Sequence, residues 1–377
     1  MRVSCLQENL AKGLNIVGRA VSTRSTLPVL ANVLLSTDEN RLKLSATNLE
    51  IVVTCWIGAK VDEEGATTVP ARTFNDLVGA LPQEQVHMTL NKGTETLHIS
   101  CARTEANIKG IDAQEFPLVP EPEEEGRIRL DAPKFKEMIN QVTFAAATDD
   151  ARPTLTGIYT HFEGDTITMA ATDGFRLSRR TAQFPGYIEK PRTVIIPARA
   201  LDELARVMSD DVEELFVMMP ENRNQIIFDL ETILLVSQLI DGNFPDFQSV
   251  IPKRRKTRTV LNTASLLKAC KTADIFAREA SHTARIHIEP GDQRSAGFAT
   301  ISATSVETGD NEAQVDADVD GDPVELNFNV KYLTDVLTVV GTPQVALETT
   351  SSVEPGVVKS VGTDDFLHII MPMQFGR

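Results

Sequence analysis

The chain has 377 residues, of which 42% are hydrophobic and 24% charged, and its formal net charge is -16. This composition excludes a disordered or fibrous protein, and the length favours two or three domains. The excess of carboxylates disfavours a protein that holds nucleic acid mainly through contacts with its phosphates.

The first residues lack the basic and apolar run of a signal peptide, and no apolar stretch is long enough to span a bilayer. We therefore expect a cytoplasmic protein. Its four cysteines lie among apolar neighbours without the spacing of a metal site, so we expect buried, free thiols. They are Cys5, Cys55, Cys101 and Cys270.

Along the chain, helical periodicity recurs three times, each time with an apolar stripe. The stripes comprise Leu6, Leu10, Leu14 and Val17, then Phe135, Met138, Ile139 and Val142, then Leu266, Leu267 and Cys270. Alternating segments such as 41–45 and 166–169 are typical of half-buried strands. The pattern predicts an α+β protein with much antiparallel sheet.

The chain contains a threefold internal repeat. Segments 67–78, 194–204 and 326–337 each resemble a strand followed by an amphipathic helix. A second set, at 45–50, 170–175 and 302–307, keeps the same order, and its threonines Thr47, Thr172 and Thr304 are 125 and 132 residues apart. This period is the size of a domain and far exceeds a solenoid repeat.

A Phe-Pro pair closes each of the first two copies, at Phe116 and Phe244, and a further proline follows at Pro120 and Pro252. The polar stretches 120–126 and 252–258 suit extended linkers. The predicted domains are therefore 1–121, 127–252 and 258–377.

Five motifs occur in order along these copies: TLPVL at 26–30, VPAR at 69–72, ATDGFRL at 171–177, DGNFPD at 241–246 and MPM at 371–373. Together they resemble the bacterial sliding clamp family over essentially the whole chain. The resemblance implies a DNA clamp fold of three similar domains, with helices inside and antiparallel sheets outside, and a head-to-tail dimeric ring.

It also implies a non-catalytic processivity factor of DNA polymerase III that encircles duplex DNA of any sequence. The implied partners are a second copy, the clamp loader, the replicative polymerase and other proteins with short clamp-binding motifs. No cofactor, metal or membrane is expected. A closed ring needs little adhesion to stay on DNA, which reconciles the function with an acidic chain.

Basic residues on the polar faces of the predicted inner helices are expected to face DNA. Lys12 and Arg19 are seven residues apart, as are Arg199 and Arg206, which is two helical turns. The full expected set is Lys12, Arg19, Arg24, Arg72, Lys134, Lys136, Arg152, Arg199, Arg206, Lys268, Lys271 and Lys331. An ordinary solvated helix face is the alternative for each of them.

The resemblance further implies a partner-peptide groove between the second and third domains. Its expected residues are Leu155, Thr172, Gly174, Phe175, Arg176, Leu177, Pro245, Val250, Ser352, Ile369, Ile370, Met371, Pro372 and Met373. Flexible methionines suit a groove with many ligands, and plain core packing is the alternative for Leu177, Val250 and Ile370. In the family, His is frequent at the position of Phe175, and Arg is frequent at the positions of Ser249 and Gln374. These differences predict a groove that is more apolar and less basic than in some relatives.

For ring closure the resemblance sets Ala106 and Ile108 of the first domain against Ile275 and Phe276 of the third. A clamp-like scaffold that binds partners without encircling DNA is the alternative function. An enzyme is disfavoured, because the sequence has no P-loop, GxSxG or HExxH motif.

Two further charged segments have simple interpretations. Asp316, Asp318, Asp320 and Gly321 resemble the start of an EF-hand loop, but Asn327 replaces its final Glu, so an acidic surface turn is expected. The basic run at 253–256 is expected to be a solvated linker rather than a DNA reader.

Overall fold

The structure is a computed structural model that describes residues 1–22, 26–120, 126–149, 151–221, 223–292 and 295–373. The chain divides into two compact units. Unit 1 comprises Met1–Pro133 and Arg199–Leu239, and unit 2 comprises Lys134–Ala198 and Ile240–Arg377. The second sequence repeat therefore contributes to both units, because its strands pair with strands of the first and the third repeats.

The helices follow the predicted repeat, two in each copy. They are α1 (Gln7–Val17), α2 (Ala71–Ala80), α3 (Ala132–Val142), α4 (Ala198–Val207), α5 (Thr263–Ala277) and α6 (Val330–Val339). All four apolar stripe residues of α3 are fully buried, as its periodicity predicts. In α1 the stripe holds from Leu10 to Val17, but Leu6 ends the preceding strand and is 50% exposed, so its assignment to the stripe was wrong.

Unit 1 contains two antiparallel sheets. Its strands are β1 (Arg2–Leu6), β2 (Asn32–Asp38), β3 (Arg41–Thr47), β4 (Ile51–Gly58), β5 (Lys60–Glu63), β6 (Ala66–Pro70), β7 (Gln85–Asn91), β8 (Thr96–Cys101), β9 (Thr104–Lys109), β10 (Ile128–Asp131), with β13 (Glu214–Met218), β14 (Gln225–Asp229) and β15 (Ile233–Gln238). The five-stranded sheet has the order β5-β1-β7-β8-β9, and the eight-stranded sheet has the order β10-β13-β14-β15-β4-β3-β2-β6.

Unit 2 is built on one ten-stranded sheet. Its strands are β11 (Gly157–Thr172), β12 (Arg176–Pro197), β16 (Thr257–Asn262), β17 (Thr283–Glu289), β18 (Gly297–Ser305), β19 (Gly309–Asp320), β20 (Val324–Asn329), β21 (Gln344–Thr349), β22 (Gly356–Ser360) and β23 (Phe366–Ile370). Their order is β11-β12-β23-β22-β21-β16-β19-β18-β17-β20. The expected antiparallel α+β class is confirmed.

Two strand pairs join different sequence repeats within a unit. In unit 1, β4 of the first copy pairs with β15 of the second, and in unit 2, β12 of the second copy pairs with β23 of the third. We call these pairs the first joint and the second joint. Alternate residues of each strand face a buried layer, so a change of register would expose apolar side chains.

Two local expectations are corrected. The acidic segment 316–320 is the end of strand β19 rather than a turn, because its carboxylates alternate with the more buried Val315, Ala317 and Val319. The predicted second linker is shorter than expected, since β16 already begins at Thr257. The buried, free state expected for all four cysteines is confirmed.

Candidate functional site

A tight loop at 172–176 shapes the candidate groove in unit 2. The Thr172 hydroxyl donates to the carbonyl of Arg176 (2.6 Å) and accepts from the amide of Gly174 (3.0 Å). The carboxylate of Asp173 accepts from the amides of Phe175 (2.8 Å) and Arg176 (3.0 Å). Gly174 has φ of 95°, a conformation that favours glycine, so the Thr-Asp-Gly sequence suits this loop.

The equivalent loop in unit 1 has the same hydrogen bonds. Thr47 donates to the carbonyl of Ile51 and accepts from the amide of Leu49, both at 2.9 Å. Asn48 accepts from the amides of Glu50 (3.0 Å) and Ile51 (2.8 Å). Leu49 occupies the position of Gly174, with φ of 78°. The sequence repeat thus extends to individual hydrogen bonds.

Three of the predicted groove residues are exposed apolar side chains. Phe175 is 60% exposed, Val250 49% and Met371 40%, and the amide of Met371 donates to the carbonyl of Phe175 (2.9 Å). Leu177 and Ile369 belong to one buried apolar cluster of the same unit. Exposed apolar side chains beside a buried apolar floor form a surface suited to an apolar ligand.

The remaining predicted groove residues differ in their exposure. Pro245 and Ser352 are exposed, Thr172, Pro372 and Met373 are partly buried, and Leu155 is buried. Ile370 is fully buried in the apolar cluster that includes Leu266 and Phe366, so its side chain is unavailable to a ligand. Its predicted role in the groove is corrected to core packing. Ser249 is exposed and donates to the carbonyl of Asp246 (2.8 Å), while Gln374 lies outside the described residues.

Arg176 does not point into solvent, although its sequence neighbours form the groove. Its guanidinium donates to Asp173 (3.0 Å) and Asp335 (2.6 Å), lies 4.4 Å from the ring centre of Tyr332, and is only 12% exposed. Burial and the charge of Asp173 raise the pKa of the Tyr332 hydroxyl, against the opposing charge of Arg176. Arg176 therefore links the loop to α6 through Asp335 and Tyr332.

A buried polar pair lies beneath this loop. The Oγ atom of Ser178 is 2.7 Å from Nδ1 of His368, and the His368 ring packs 5.2 Å from that of Phe144. Burial, together with the charge of Arg176, lowers the pKa of His368 to about 3, so the imidazole is neutral. Its Nε2 has no hydrogen-bond partner among the described residues.

Most of the predicted DNA-facing residues are exposed. In the described part each α-helix carries at least one of them, while Lys136 is partly buried and Arg24 lies outside the described residues. The exposed ones are Lys12, Arg19, Arg72, Lys134, Arg152, Arg199, Arg206, Lys268, Lys271 and Lys331. Arg19 lies in a short 3-10 turn after α1 rather than on it, because the helix ends before Gly18.

Several of these cations have internal partners. Arg19 (3.4 Å) and Arg206 (2.7 Å) both contact Glu203, and both line, with Lys12, a cavity of about 1360 Å³ in unit 1. Lys134 donates to the carbonyl of Gln183 (3.0 Å). Arg152 donates to the carbonyl of Asp173 (2.9 Å), so its guanidinium lies on the groove loop. These pairings hold part of the positive charge within the protein.

The predicted ring-closure residues lie in both units. Ala106 and Ile108 belong to β9, at the edge of its sheet, and Ile108 is buried while Ala106 is partly buried. In unit 2, Ile275 is 56% exposed on α5, whereas Phe276 packs partly against the core. Ile275 is therefore the most accessible apolar side chain of the four.

Sequence reasoning missed four internal polar contacts. These are Arg176 with Asp335, Ser178 with His368, and Glu348 with Arg255 (2.7 Å) and Lys359 (2.8 Å). Although burial opposes it, Lys359 and Arg255 hold the pKa of Glu348 below its ordinary value. Arg255 of the basic run is thus paired rather than free. The partners are far apart in sequence, so no local pattern indicates them.

None of the described helices combines the length and apolarity required to cross a membrane. Within the described ranges, no three acidic, histidine or cysteine side chains are grouped as metal ligands. The strand conformation of 316–320 also differs from a calcium-binding loop, whose ligands converge on one point.

Comparison with protein families gives three matches in chain order. They are to the DNA polymerase III beta subunit: its N-terminal domain at residues 1–120, its central domain at 129–246 and its C-terminal domain at 248–374. Curated relatives described as "Beta sliding clamp", from Staphylococcus epidermidis and Staphylococcus aureus, are 30% identical over 370 residues, covering 96% of each chain.

Solved structures agree with these matches. A DNA polymerase sliding clamp from Bacillus subtilis superposes with a TM-score of 0.93 at 26% identity, covering all of both chains. The DNA polymerase III subunit beta from Pseudomonas aeruginosa gives a TM-score of 0.89 at 29% identity, covering 99% of this chain and all of the other. The similarity extends from one end of the chain to the other.

Proposed function

Because this chain belongs to the family of bacterial DNA polymerase III beta subunits, the beta sliding clamps, we propose that two copies close head to tail around duplex DNA. Members of the family are non-catalytic processivity factors with three clamp domains, as the sequence motifs of this chain predict. In this proposal the ring slides on DNA and tethers the replicative polymerase. A clamp loader opens and closes it.

One observation carries the proposal, namely the end-to-end similarity to solved sliding clamps, with all of the chain covered and a TM-score of 0.93. A protein that had kept only part of the clamp architecture would cover only part of either chain. Encirclement is a property of the whole ring, so the complete set of three domains is the feature it requires.

The distribution of charge is consistent with a sliding contact. Exposed cations occur on every α-helix of the described part, yet the whole chain carries a net charge of -16. Strong phosphate contacts release many counterions and would oppose sliding, whereas a few weak contacts centre the duplex without holding it. Retention then comes from topology, and the acidic remainder repels DNA from other surfaces.

The proposed peptide groove supplies the tether. Phe175, Val250 and Met371 form an apolar rim, and the buried Leu177 and Ile369 form its floor. A short linear motif with apolar side chains can bury these exposed groups, and a few such contacts provide most of the affinity of small interfaces. We assign this surface to the polymerase and to other proteins that carry clamp-binding motifs.

Plasmid linearisation tests encirclement. The clamp is loaded by its clamp loader onto a nicked circular plasmid, the loader is removed, and the complex is separated from free protein by gel filtration. Cutting the plasmid once should release the clamp from the free ends, while an uncut sample keeps it. The uncut sample is the matched control for spontaneous ring opening.

The alternative, a clamp-like scaffold that never encircles DNA, makes the opposite prediction. A scaffold held by phosphate contacts would remain on the linear product and would dissociate from circular and linear DNA alike as salt is raised. Retention on linear DNA would therefore reject the ring while leaving the peptide groove untested by that assay.

A further inference from the structure

At the first and second joints, equivalent positions of the sequence repeat pair with each other. At the first joint Val53 pairs with Leu235, and at the second Ser178 pairs with His368. Val53 and Ser178 are equivalent, because each pairs on its other side with the alanine before the repeated threonine, Ala46 and Ala171. The repeat therefore fixes which residues oppose one another.

The third copy contains an equivalent of each strand without its partner. Ala303, which precedes Thr304, pairs with Asn311 of β19, so Asn311 is the third equivalent of Val53 and Ser178. In the first copy, Ala106 precedes Ile111-Asp112 by five residues, just as Leu235 precedes Ile240-Asp241. Ala106 of β9 is therefore the third equivalent of Leu235 and His368.

Both strands have an unpaired edge within their own unit. In the part of the chain that the structure describes, strand β9 pairs only with β8, at the end of its sheet. Strand β19 pairs with β18 along its length, but β16 reaches only its last part, from Ala317 to Asp320, so among the described residues 309–316 have one free edge. Unpaired edges are the surfaces on which strands of other chains add.

A buried polar atom also indicates that this edge is incomplete in one chain. The Oδ1 atom of Asn311 is buried and has no hydrogen-bond partner among the described residues. At the equivalent place in the second joint, Ser178 bonds across the strand pair to His368. An unsatisfied buried acceptor is costly, so within one chain this position is less well stabilised than its equivalent Ser178 in the second joint.

In the proposed dimeric ring, the same register sets β9 of one copy against residues 309–313 of the other, a pairing that we call the third joint, with Ala106 opposite Asn311 and Glu105 opposite Glu312. We infer that this carboxylate pair weakens the third joint. The inference rests on the proposed dimeric ring and on this register. Two negative side chains directly opposite each other on one face of a sheet repel.

The repulsion is confined to Glu105 and Glu312, because their other neighbours are uncharged or of complementary charge. Glu105 and Glu312 are exposed, and their intrachain cross-strand neighbours are the uncharged Ser100 and Ser302. The nearby charged residues are Arg103 in the turn before β9, Lys109 on β9, and Asp310 and Asp316 on β19. The outer residues of β9 are thus complementary to acidic β19, except at Glu105.

The first two joints have no such pair. Their equivalent positions are Leu234 with Thr54 and Leu367 with Arg179. The two joints within the chain are permanent, since they are covalently connected. The third must open for the ring to be loaded, and a like-charge pair lowers the free energy needed to open it.

Engineered cysteines test the register. Asn107→Cys with Asp310→Cys, and Ala106→Cys with Asn311→Cys, place thiols directly opposite each other in the inferred joint. One of these neighbouring pairs has the closer, non-hydrogen-bonded geometry that a disulfide requires. Mild oxidation should give a covalent dimer, because the native cysteines are buried. The control, Asn107→Cys with Glu312→Cys, is displaced by two residues and should cross-link at least tenfold less.

Charge substitutions test the weakening. Sedimentation should show the dimer dissociation constant of Glu105→Gln falling about two- to fivefold, and that of Glu105→Lys falling further. Combining Glu105→Lys with Glu312→Lys recreates a like-charge pair and should abolish the gain. Glu64→Gln, an exposed carboxylate beside the opposite edge strand of the same sheet, is the matched control and should have no effect.

The outcomes separate this inference from the proposed ring. A dimer whose displaced cysteine pair cross-links best would overturn the register but leave the ring intact. Equal dissociation constants for Glu105→Gln and the unchanged protein would overturn the weakening. A chain that stays monomeric at all concentrations, with or without DNA and loader, would remove the ring itself.

Discussion

The first and second joints have the same strand register but opposite chemistry. At the first joint the central pair is Val53 with Leu235, both buried and apolar. At the second it is Ser178 with His368, a buried hydrogen-bonded pair. Apolar burial stabilises without directional requirements, whereas a buried polar pair is stable only when its geometry is kept. The joint beside the candidate groove is thus the more precisely specified.

Ion pairs show the same contrast. Glu203 and Asp335 are equivalent, each six residues after the repeat positions Pro197 and Asn329. Glu203 contacts Arg19, which is 41% exposed, whereas Asp335 contacts Arg176, which is 12% exposed. Repeats of one fold can therefore keep a carboxylate in place while its partner changes from a solvated to a buried cation.

The largest loss of stability is expected from removing Arg176, the largely buried cation of unit 2. Arg176→Ala leaves the partly exposed Asp173 and Asp335 without their shared partner and should lower the stability of unit 2 by about 2 to 3 kcal/mol. Arg19→Ala, in unit 1, should cost less than about 1 kcal/mol, because exposed ion pairs contribute little. Chemical denaturation of both variants measures their free energies of unfolding. Equal losses of stability would contradict the contrast between the two ion pairs.

The second-largest expected effect is a loss of stability at acidic pH. His368 has a pKa of about 3 in the folded protein, below the roughly 6.5 of an unfolded chain, so the unfolded state binds the proton more readily. Stability should be unaffected by this group above pH 6.5 and fall by about 1.4 kcal/mol per pH unit below it, towards pH 3.

Transplanting the apolar pair of the first joint tests this slope. Ser178→Val combined with His368→Leu introduces the residues found at Val53 and Leu235, and removes the titrating group. Denaturation midpoints measured between pH 7 and 4.5 should depend less on pH in the double variant than in the unchanged protein. A parallel pH dependence in both proteins would show that other groups control the response to acid.

Peptide affinity should depend on the loop at 172–176 and not on the equivalent loop in unit 1. Phe175 and Glu50 occupy the same loop position, and both are exposed. Phe175→Ala removes an apolar side chain from the proposed ligand surface and should weaken binding of a labelled clamp-binding peptide from the replicative polymerase about tenfold. Glu50→Ala is the matched control and should leave affinity unchanged, as measured by fluorescence anisotropy. Equal effects would remove the groove assignment from unit 2.

The sequence predicted the repeat, the helices and the class because these depend on local periodicity. It did not predict that the second copy divides between two units, since that follows from pairs such as Leu235 with Val53, far apart in the chain. Among the predicted site residues, Phe175 and Met371 are exposed, whereas Arg176 is held by internal ion pairs and Ile370 is fully buried. The motifs did not indicate this difference, because they mark a position and not the direction of its side chain.

The smallest effect, of about 1 kcal/mol or less, concerns the third residue of each loop, where two substitutions should have opposite signs. Gly174→Ala introduces a Cβ at φ of 95°, with an Arg152 guanidinium nitrogen 3.0 Å away, and should destabilise by about 1 kcal/mol. Leu49→Gly relieves a leucine at φ of 78° and should stabilise by a few tenths of a kcal/mol, after the entropy lost by glycine is subtracted. Thermal unfolding measures both. If Leu49→Gly destabilises as much as Gly174→Ala, then the half-exposed Leu49 side chain contributes packing that outweighs its backbone strain.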